Sequence, residues 1–126
     1  MISFFIPIRK GSKRIKNKNI KKLENYKLGL TELKINQLKK FRTITKKDKS
    51  FNHSFEYIVS TDMEEVINFC KKIKWIKIHR RNFENSGDHS LQKIINLVPS
   101  VCSGDYILWT HVTSPLFSSS LYKDFI

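Results

Sequence analysis

Residues 3–14 read SFFIPIRKGSKR, an apolar run that passes directly into a basic segment containing Gly11. A short, continuous apolar run that ends in this way predicts a strand buried on both faces, as in parallel sheets. Basic residues follow the run instead of preceding it, and no small-residue cleavage site is present, which argues against a signal peptide. We therefore interpret 3–8 as the core strand of a globular protein.

Helical and strand patterns alternate along the rest of the chain. Apolar residues at helical spacing predict helices over 28–41, from Asp62 to about Ile73, over 90–97 and from about Leu121. Strand patterns cover 55–60, 75–78 and 105–112, with Trp75 and Trp109 as core residues. Asp62 and Glu65 are spaced as a capping box for the second helix. Pro99 is expected to end the third helix, and a serine within 118–120 to cap the fourth.

This alternation of strands and helices predicts a single α/β domain over 1–126, with a mostly parallel sheet flanked by helices. In such sheets, ligands bind beyond the carboxyl ends of the strands. The loops that follow Ile8, Ser60, Ile78 and Val112 should therefore converge on one crevice.

The composition points to an anionic ligand. The 126 residues include 24 Lys and Arg against 11 Asp and Glu, a net charge of +13. Much of the excess lies between Lys34 and Lys49, where we interpret it as a solvated helix face and loop, not as a nucleic-acid surface. No apolar run approaches the roughly 20 residues of a membrane span, so we expect a cytoplasmic protein without a membrane partner. Cys70 and Cys102 form no metal-spaced pair and are expected to be inert.

The basic loop after the first strand has the chemistry of a phosphate site. A glycine lets the backbone approach an anion closely and present N–H groups to it. Arginine donates two parallel hydrogen bonds to a phosphate, and lysine adds a mobile point charge. The loop contains neither GxxxxGK[ST] nor GxGxxG, so its charges alone fit either a triphosphate site or a basic surface turn.

Four segments, in order, resemble the acylneuraminate cytidylyltransferases, the family of the CMP-sialic acid synthetases. Residues 6–20, IPIRKGSKRIKNKNI, resemble the pattern A-R-x-G-S-K-G-I-P-x-K-N-I that follows the first strand of that family. The others are VSTD at 59–62, HRRNFENSGD at 79–88 and HVTSP at 111–115, which resembles Q-x-T-S-P. The resemblance spans most of the chain.

The resemblance implies a Rossmann-like nucleotidyltransferase fold and a CTP-dependent reaction. In that reaction the anomeric hydroxyl of an acidic nine-carbon sugar attacks the α-phosphorus of CTP, pyrophosphate leaves, and Mg²⁺ assists. The acid could be an N-acylneuraminate or a relative such as a pseudaminic or legionaminic acid. Such a site must neutralise the triphosphate and align the hydroxyl in line with the leaving group.

The resemblance also assigns site residues by position. Arg9, Lys13 and Lys18 become the candidate catalytic cations. The candidate nucleotide-binding residues are Arg9, Gly11, Ser12, Lys13, Asn19, Arg81, Ser90 and Gln92. Arg81 matches the nucleotide-binding arginine better than Arg80, because Glu84 and Asp88 follow it at the expected offsets. His111 stands where the family has its sugar-facing glutamine.

The chain also departs from the family pattern. Arg14 replaces a glycine and Lys16 a proline, which makes the loop more basic. The metal-binding aspartates and the dimerisation segment of the family lie further along a longer chain, so no metal ligand is assigned here. The last helical pattern, 121–126, stops without a cap. We therefore expect either the amino-terminal half of a homodimeric enzyme or an enzyme that has lost catalysis, with weak nucleotide binding and little or no turnover.

Two other functions fit parts of the sequence. A small nucleic-acid-binding module would use the lysine-rich stretch 34–49, although the chain has no helix-turn-helix, zinc-finger or RNP motif. A cytidylyltransferase for 3-deoxy-manno-octulosonate would share the CTP chemistry. The H-R-R and T-S-P matches favour the nine-carbon branch.

Overall fold

A computed structural model of the chain describes residues 1–8, 26–81, 91–113 and 118–126. It confirms the predicted alternation of strands and helices. The strands are β1 (Ile2–Ile8), β2 (Phe55–Thr61), β3 (Ile76–Arg80) and β4 (Tyr106–Trp109). The helices are α1 (Gly29–Lys47), α2 (Glu64–Lys71), α3 (Leu91–Val101) and α4 (Ser119–Phe125).

The four strands form one parallel sheet in the order β3-β2-β1-β4. The chain first moves outward from β1 to β2 and β3, and then crosses back to place β4 on the other side of β1. The direction of winding therefore reverses between β1 and β4, and ligands bind at this point in Rossmann-like sheets. The last residue pair between β1 and β4 is Phe5 with Trp109. β1 continues for three more residues, so its carboxyl end extends beyond that of β4.

Helices cover the sheet on both faces, which explains why the first strand is apolar without alternation. Phe4, Ile6 and Ile8 belong to the core that α1, α2 and α4 cover, whereas Phe5 packs with Ile94 of α3 on the opposite face. The aromatic ring of Phe4 stacks on Tyr57 at 5.0 Å and meets the edges of Phe41 and Tyr122. Burial of such rings gives each roughly 1.5–3 kcal/mol of transfer free energy, so β1 is the centre of the core.

A buried carboxylate ties the strands together at the amino edge of the sheet. Glu56 of β2 accepts hydrogen bonds from the Ser3 hydroxyl, the Ser103 N–H and the Lys77 ammonium, the last at 2.9 Å. Gly104 N–H in turn donates to the Ser3 hydroxyl at 2.8 Å. Burial alone would raise the pKa of Glu56, but these hydrogen bonds outweigh it and lower the pKa to about 2. This edge is therefore structural and lies opposite the predicted crevice.

The predicted capping box of the second helix is wrong. Helix α2 begins at Glu64 with Met63 at its N-cap, and no side chain caps it. β2 extends to Thr61, whose hydroxyl oxygen accepts a hydrogen bond from the Met63 N–H at 3.1 Å. The helix consequently starts too late for Asp62 and Glu65 to occupy the two positions of the box.

The predicted end of the third helix is also wrong, because Pro99 lies inside α3. Proline lacks an N–H, so α3 loses one helical hydrogen bond at this position. The Cys102 N–H donates to the Val98 carbonyl at 2.9 Å and completes the final turn. Val98 and Cys102 are both buried against the α3 face of the sheet, so tertiary packing carries the helix past the proline.

Three other boundaries shift. α1 continues to Lys47, and the hydroxyls of Thr43 and Thr45 donate back to carbonyls of the preceding turn at 3.1 Å. Trp75 lies in the turn before β3, where its ring packs on Tyr57, and not on the strand. β4 is shorter than expected and ends at Trp109. Ser118 is the N-cap residue of α4, but its side chain makes no capping bond.

The two cysteines behave as the sequence predicts. Cys70 and Cys102 are free and buried. Burial raises the pKa of the Cys70 thiol to about 11, so it carries no thiolate at neutral pH.

Candidate functional site

The carboxyl ends of β2 and β3 hold the first part of the candidate site. Ser60 and His79 lie opposite each other in the register of these two strands. Arg81 follows β3 directly, and its backbone N–H donates to the Thr61 carbonyl at 2.9 Å. This bond fixes the Arg81 backbone at the edge of the sheet where parallel strands present ligand-binding residues.

The side chain of Arg81 is held inside the protein. It is 7% exposed, and its Nε donates to the Ser60 hydroxyl oxygen at 3.0 Å. A buried guanidinium needs such partners, because an uncompensated charge is costly away from water. Its neighbour Arg80 instead lies on the surface and forms an ion pair with Glu64 of α2. Of the two adjacent arginines, Arg81 is thus the one fixed in the sheet edge.

His79 completes a short polar chain with Ser60. Its Nδ1 lies 2.9 Å from the Ser60 hydroxyl oxygen. Burial, and then the charge of Arg81, lower the pKa of His79, so the imidazole is neutral at neutral pH. A neutral Nδ1 can accept the single hydroxyl proton of Ser60 while Ser60 accepts from Arg81. In the tautomer that carries its proton on Nε2, the order of donation is Arg81 to Ser60 to His79.

The β4 side of the edge is organised by Thr110. Its N–H donates to the Phe5 carbonyl at 2.8 Å, which extends the β1–β4 ladder by one bond. His111, the candidate sugar-binding residue, follows it on the surface, with its ring 6.3 Å from that of Trp109. Thr113 is also exposed, whereas Ser114 and Pro115 lie outside the described residues.

A buried cation lies behind Thr110. Lys34 of α1 is fully buried and donates its ammonium to the Tyr122 hydroxyl at 3.0 Å, with the Tyr122 ring centroid 5.1 Å away. Tyr122 also shares a side-chain hydrogen bond with Thr110. Burial lowers the pKa of Lys34 to about 8, so the group is mostly charged at neutral pH. The β4 end of the edge therefore has a positive charge beneath it.

Gln92 is placed on a different element from Arg81 and His111. It lies exposed in the first turn of α3, and its amide donates to Asn96 at 3.1 Å. The remaining predicted site residues lie outside the described residues: Arg9, Gly11, Ser12, Lys13, Lys18, Asn19 and Ser90. Their roles stay predictions from the sequence.

Sequence reasoning missed the roles of Ser60 and His79. Ser60 belongs to the V-S-T-D segment, and its place at a strand end was the available signal. His79 opens the H-R-R segment, but its pairing with Ser60 depends on β2 and β3 being neighbours. Local patterns contain no information on that adjacency.

Over 1–8, 26–81, 91–113 and 118–126, no three His, Cys, Asp or Glu side chains gather as a metal-ligand set. Within the same residues, no helix is both long enough and apolar enough to cross a membrane.

The arrangement suits an anionic, hydrogen-bonding ligand. It combines a fixed guanidinium, a neutral imidazole and a hydroxyl at one end of the edge with a buried ammonium at the other. No curated protein matches the sequence. The sequence model of a family described as cytidylyltransferase matches residues 3–126 and thus includes all four strands. The chain belongs to the cytidylyltransferase family.

Proposed function

We propose that the protein transfers CMP from CTP to the anomeric hydroxyl of an acidic nine-carbon sugar and releases pyrophosphate. CMP transfer from CTP, in general, is the chemistry that membership of the family supports. The nine-carbon acceptor rests on the resemblance of residues 79–88 and 111–115 to the acylneuraminate branch.

The observation that carries the proposal is the fixed position of Arg81. The hydrogen bonds from its backbone to Thr61 and from its side chain to Ser60 hold it at the carboxyl edge. Pre-organised donors of this kind stabilise a ligand without losing entropy when it binds. In the proposed complex, Arg81 contacts the nucleotide, and His79 and Ser60 position it.

The reaction exchanges one P–O bond for another. The anomeric oxygen forms a bond to the α-phosphorus, the bond between the α-phosphorus and the oxygen that bridges to the β-phosphorus breaks, and the hydroxyl proton passes to solvent or a base. Pyrophosphate leaves with the bridging oxygen. Arg9, Lys13 and Lys18 are proposed to bind the triphosphate and the leaving pyrophosphate. Gly11, Ser12, Asn19, Ser90 and Gln92 are proposed to contact the nucleotide, and His111 the sugar.

Mg²⁺ and a second subunit are further parts of the proposal. When bound, Mg²⁺ would neutralise charge on the leaving pyrophosphate, with triphosphate oxygens among its ligands. The resemblance also leads us to propose a homodimer acting in the cytoplasm.

A single-turnover assay tests this function directly. The chain is held in excess over CTP labelled at the α-phosphate, with Mg²⁺ and one acid at a time, and products are identified by mass. N-acetylneuraminate, pseudaminate, legionaminate and 3-deoxy-manno-octulosonate form the panel. We expect a CMP-sugar with at least one nine-carbon acid. Product with the octulosonate alone would overturn the acceptor, and CTP binding without any product would overturn the transfer.

A further inference from the structure

A polar cavity lies on the outer side of α1, away from the sheet. Its volume is about 530 Å³, within the roughly 300–1,000 Å³ range of small-molecule sites. Its wall combines the middle of α1 with the segment before it and the start of α4. The polar residues that line it are Tyr26, Asn36, Lys39, Lys40, Thr43 and Ser119.

This cavity is separate from the carboxyl edge of the sheet. Ile35, Leu38 and Phe41 form the face of α1 that packs into the core. Lys39 and Lys40 are exposed on the other side of the same helix. An α-helix with its side chains is roughly 10 Å across, so the thickness of α1 separates the cavity from the sheet.

The cavity is electropositive because its two lysines are not neutralised. Neither Lys39 nor Lys40 forms an ion pair with another residue of the described part of the chain. The acids nearest to them in sequence are engaged elsewhere. Glu32 accepts from the Leu28 N–H at 3.3 Å, and Asp48 binds Ser50 and the Lys123 ammonium. Two ammonium groups of like charge in one cavity favour an anion.

The other polar groups fit hydroxyls on that anion. The Thr43 hydroxyl donates its proton to the Lys39 carbonyl at 3.1 Å, which leaves its oxygen free to accept from a ligand. The amide of Asn36 can both donate and accept, and so can the hydroxyls of Tyr26 and Ser119. This mixture of donors and acceptors suits a polyhydroxylated molecule, because ligand hydroxyls both donate and accept, whereas the oxygens of a phosphate backbone only accept.

We propose that this cavity, here called the α1 cavity, binds a small polyhydroxylated anion, a sugar acid or a sugar phosphate. Lys39 and Lys40 bind the anionic group, and Asn36, Thr43 and Ser119 bind hydroxyls. The site is additional to the proposed CTP site, and neither depends on the other.

Ligand titrations of the full chain test the α1 cavity. The probes are glucose 6-phosphate and gluconate. Glucose, which has only the hydroxyls, and inorganic phosphate, which has only the anionic group, are the controls. Binding is measured by calorimetry and by changes in amide chemical shifts. We expect glucose 6-phosphate, gluconate or both to shift the amides of 36–44 and Ser119, and to bind at least about tenfold more tightly than either control. Which of the two binds identifies the anionic group. Equal binding of inorganic phosphate would overturn the part of the proposal that concerns hydroxyls, and shifts confined to other residues would overturn the site.

Two charge-matched variants separate the cavity from general electrostatic attraction. K39Q/K40Q removes the two lysines of the cavity, whereas K46Q/K47Q removes two exposed lysines of the same helix that do not line it. We expect the first pair to weaken probe binding at least about tenfold and the second to change it by less than about twofold. The proposal would be overturned if both pairs of substitutions weakened probe binding equally. It would also be overturned if the protein bound a DNA duplex more tightly than the probes and both pairs weakened that binding equally. Neither pair should change CTP affinity, so failure here is distinguishable from failure of the CTP site.

Discussion

The Nε atom of Arg81 lies 3.0 Å from the hydroxyl oxygen of Ser60. A residue at the end of β2 thereby fixes the first side chain beyond β3. Because Ser60 also contacts Nδ1 of His79, three residues at the carboxyl ends of β2 and β3 form one polar unit.

Substitution of Arg81 should weaken CTP binding far more than substitution of Arg80. Arg81 is buried and pre-positioned, whereas Arg80 pairs with Glu64 on the surface. A hydrogen bond to a charged group contributes about 1.5–3 kcal/mol, which corresponds to roughly 10- to 100-fold in affinity. Calorimetry should show this loss for Arg81→Met and a change of less than about twofold for Arg80→Met.

Arg81→Lys serves as the second variant if Arg81→Met unfolds. It keeps the positive charge but loses the planar guanidinium that donates paired hydrogen bonds, so we expect a CTP affinity between those of the wild type and Arg81→Met. The assignment of Arg81 to the nucleotide would be wrong if both arginine positions gave the same affinity in folded protein.

His79 should make the protein less stable as the pH falls below its ordinary pKa. Its pKa is lowered from 6.5 in the folded state, so below 6.5 the unfolded chain binds the proton first and the unfolding free energy decreases with pH. His79→Gln keeps a polar side chain but does not titrate. Urea unfolding between about pH 7 and 5 should show wild type losing stability relative to this variant. Parallel pH profiles would contradict the burial of His79 beside Arg81.

Glu56→Gln should lower the unfolding free energy by about 1–3 kcal/mol at neutral pH, because three donors lose a charged acceptor. The folded-state pKa of Glu56 is about 2 and the ordinary value is 4.5. The stabilisation is therefore complete above 4.5 and is lost as the pH falls toward 2, so the two proteins should converge there. Glu65→Gln, at an exposed position of α2, is the control and should change stability little. A difference that persists into acid would show that Glu56 acts through packing, not through charge.

Lys34→Met should remove a pH dependence at alkaline pH. The pKa of Lys34 is about 8 when folded against 10.5 ordinarily, so the unfolded chain holds the extra proton between these values. Between about pH 8 and 10.5, the unfolding free energy of the wild type should therefore rise with pH, whereas that of Lys34→Met should lack this rise. The difference between the two proteins should change by at most about 1.4 kcal/mol per pH unit. Chemical denaturation at several pH values measures the difference. A constant difference would indicate that Lys34 is solvated.

The order of the elements could be predicted from the sequence, whereas their ends and neighbours could not. The apolar run 3–8 indicated a strand covered on both faces, and the structure covers Phe4 and Phe5 from opposite sides. The ends failed where contacts outside the local pattern decide them. Buried Val98 and Cys102 carry α3 past Pro99, where the local pattern predicted its end.

The candidate site was predictable only where family motifs mark it. The H-R-R segment singled out Arg81, but Ser60 and His79 became partners through strand adjacency, which no local pattern contains. The burial of Lys34 was equally invisible, because the other lysines of α1 (Lys39, Lys40, Lys46 and Lys47) are exposed and the local pattern does not separate Lys34 from them. The assignments of Arg9, Lys13 and the other loop residues remain predictions.

The most direct test of the central claim is a comparison of thermal unfolding with CTP, ATP and GTP, each with Mg²⁺. A ligand that binds only the folded state raises the unfolding temperature, and at equal concentration a tighter ligand raises it more. We predict a larger rise with CTP than with either purine nucleotide, since a cytidylyltransferase must recognise the base as well as the phosphates. An equal rise with all three, and with a nonspecific polyanion, would contradict the account and leave only a basic protein that attracts anions.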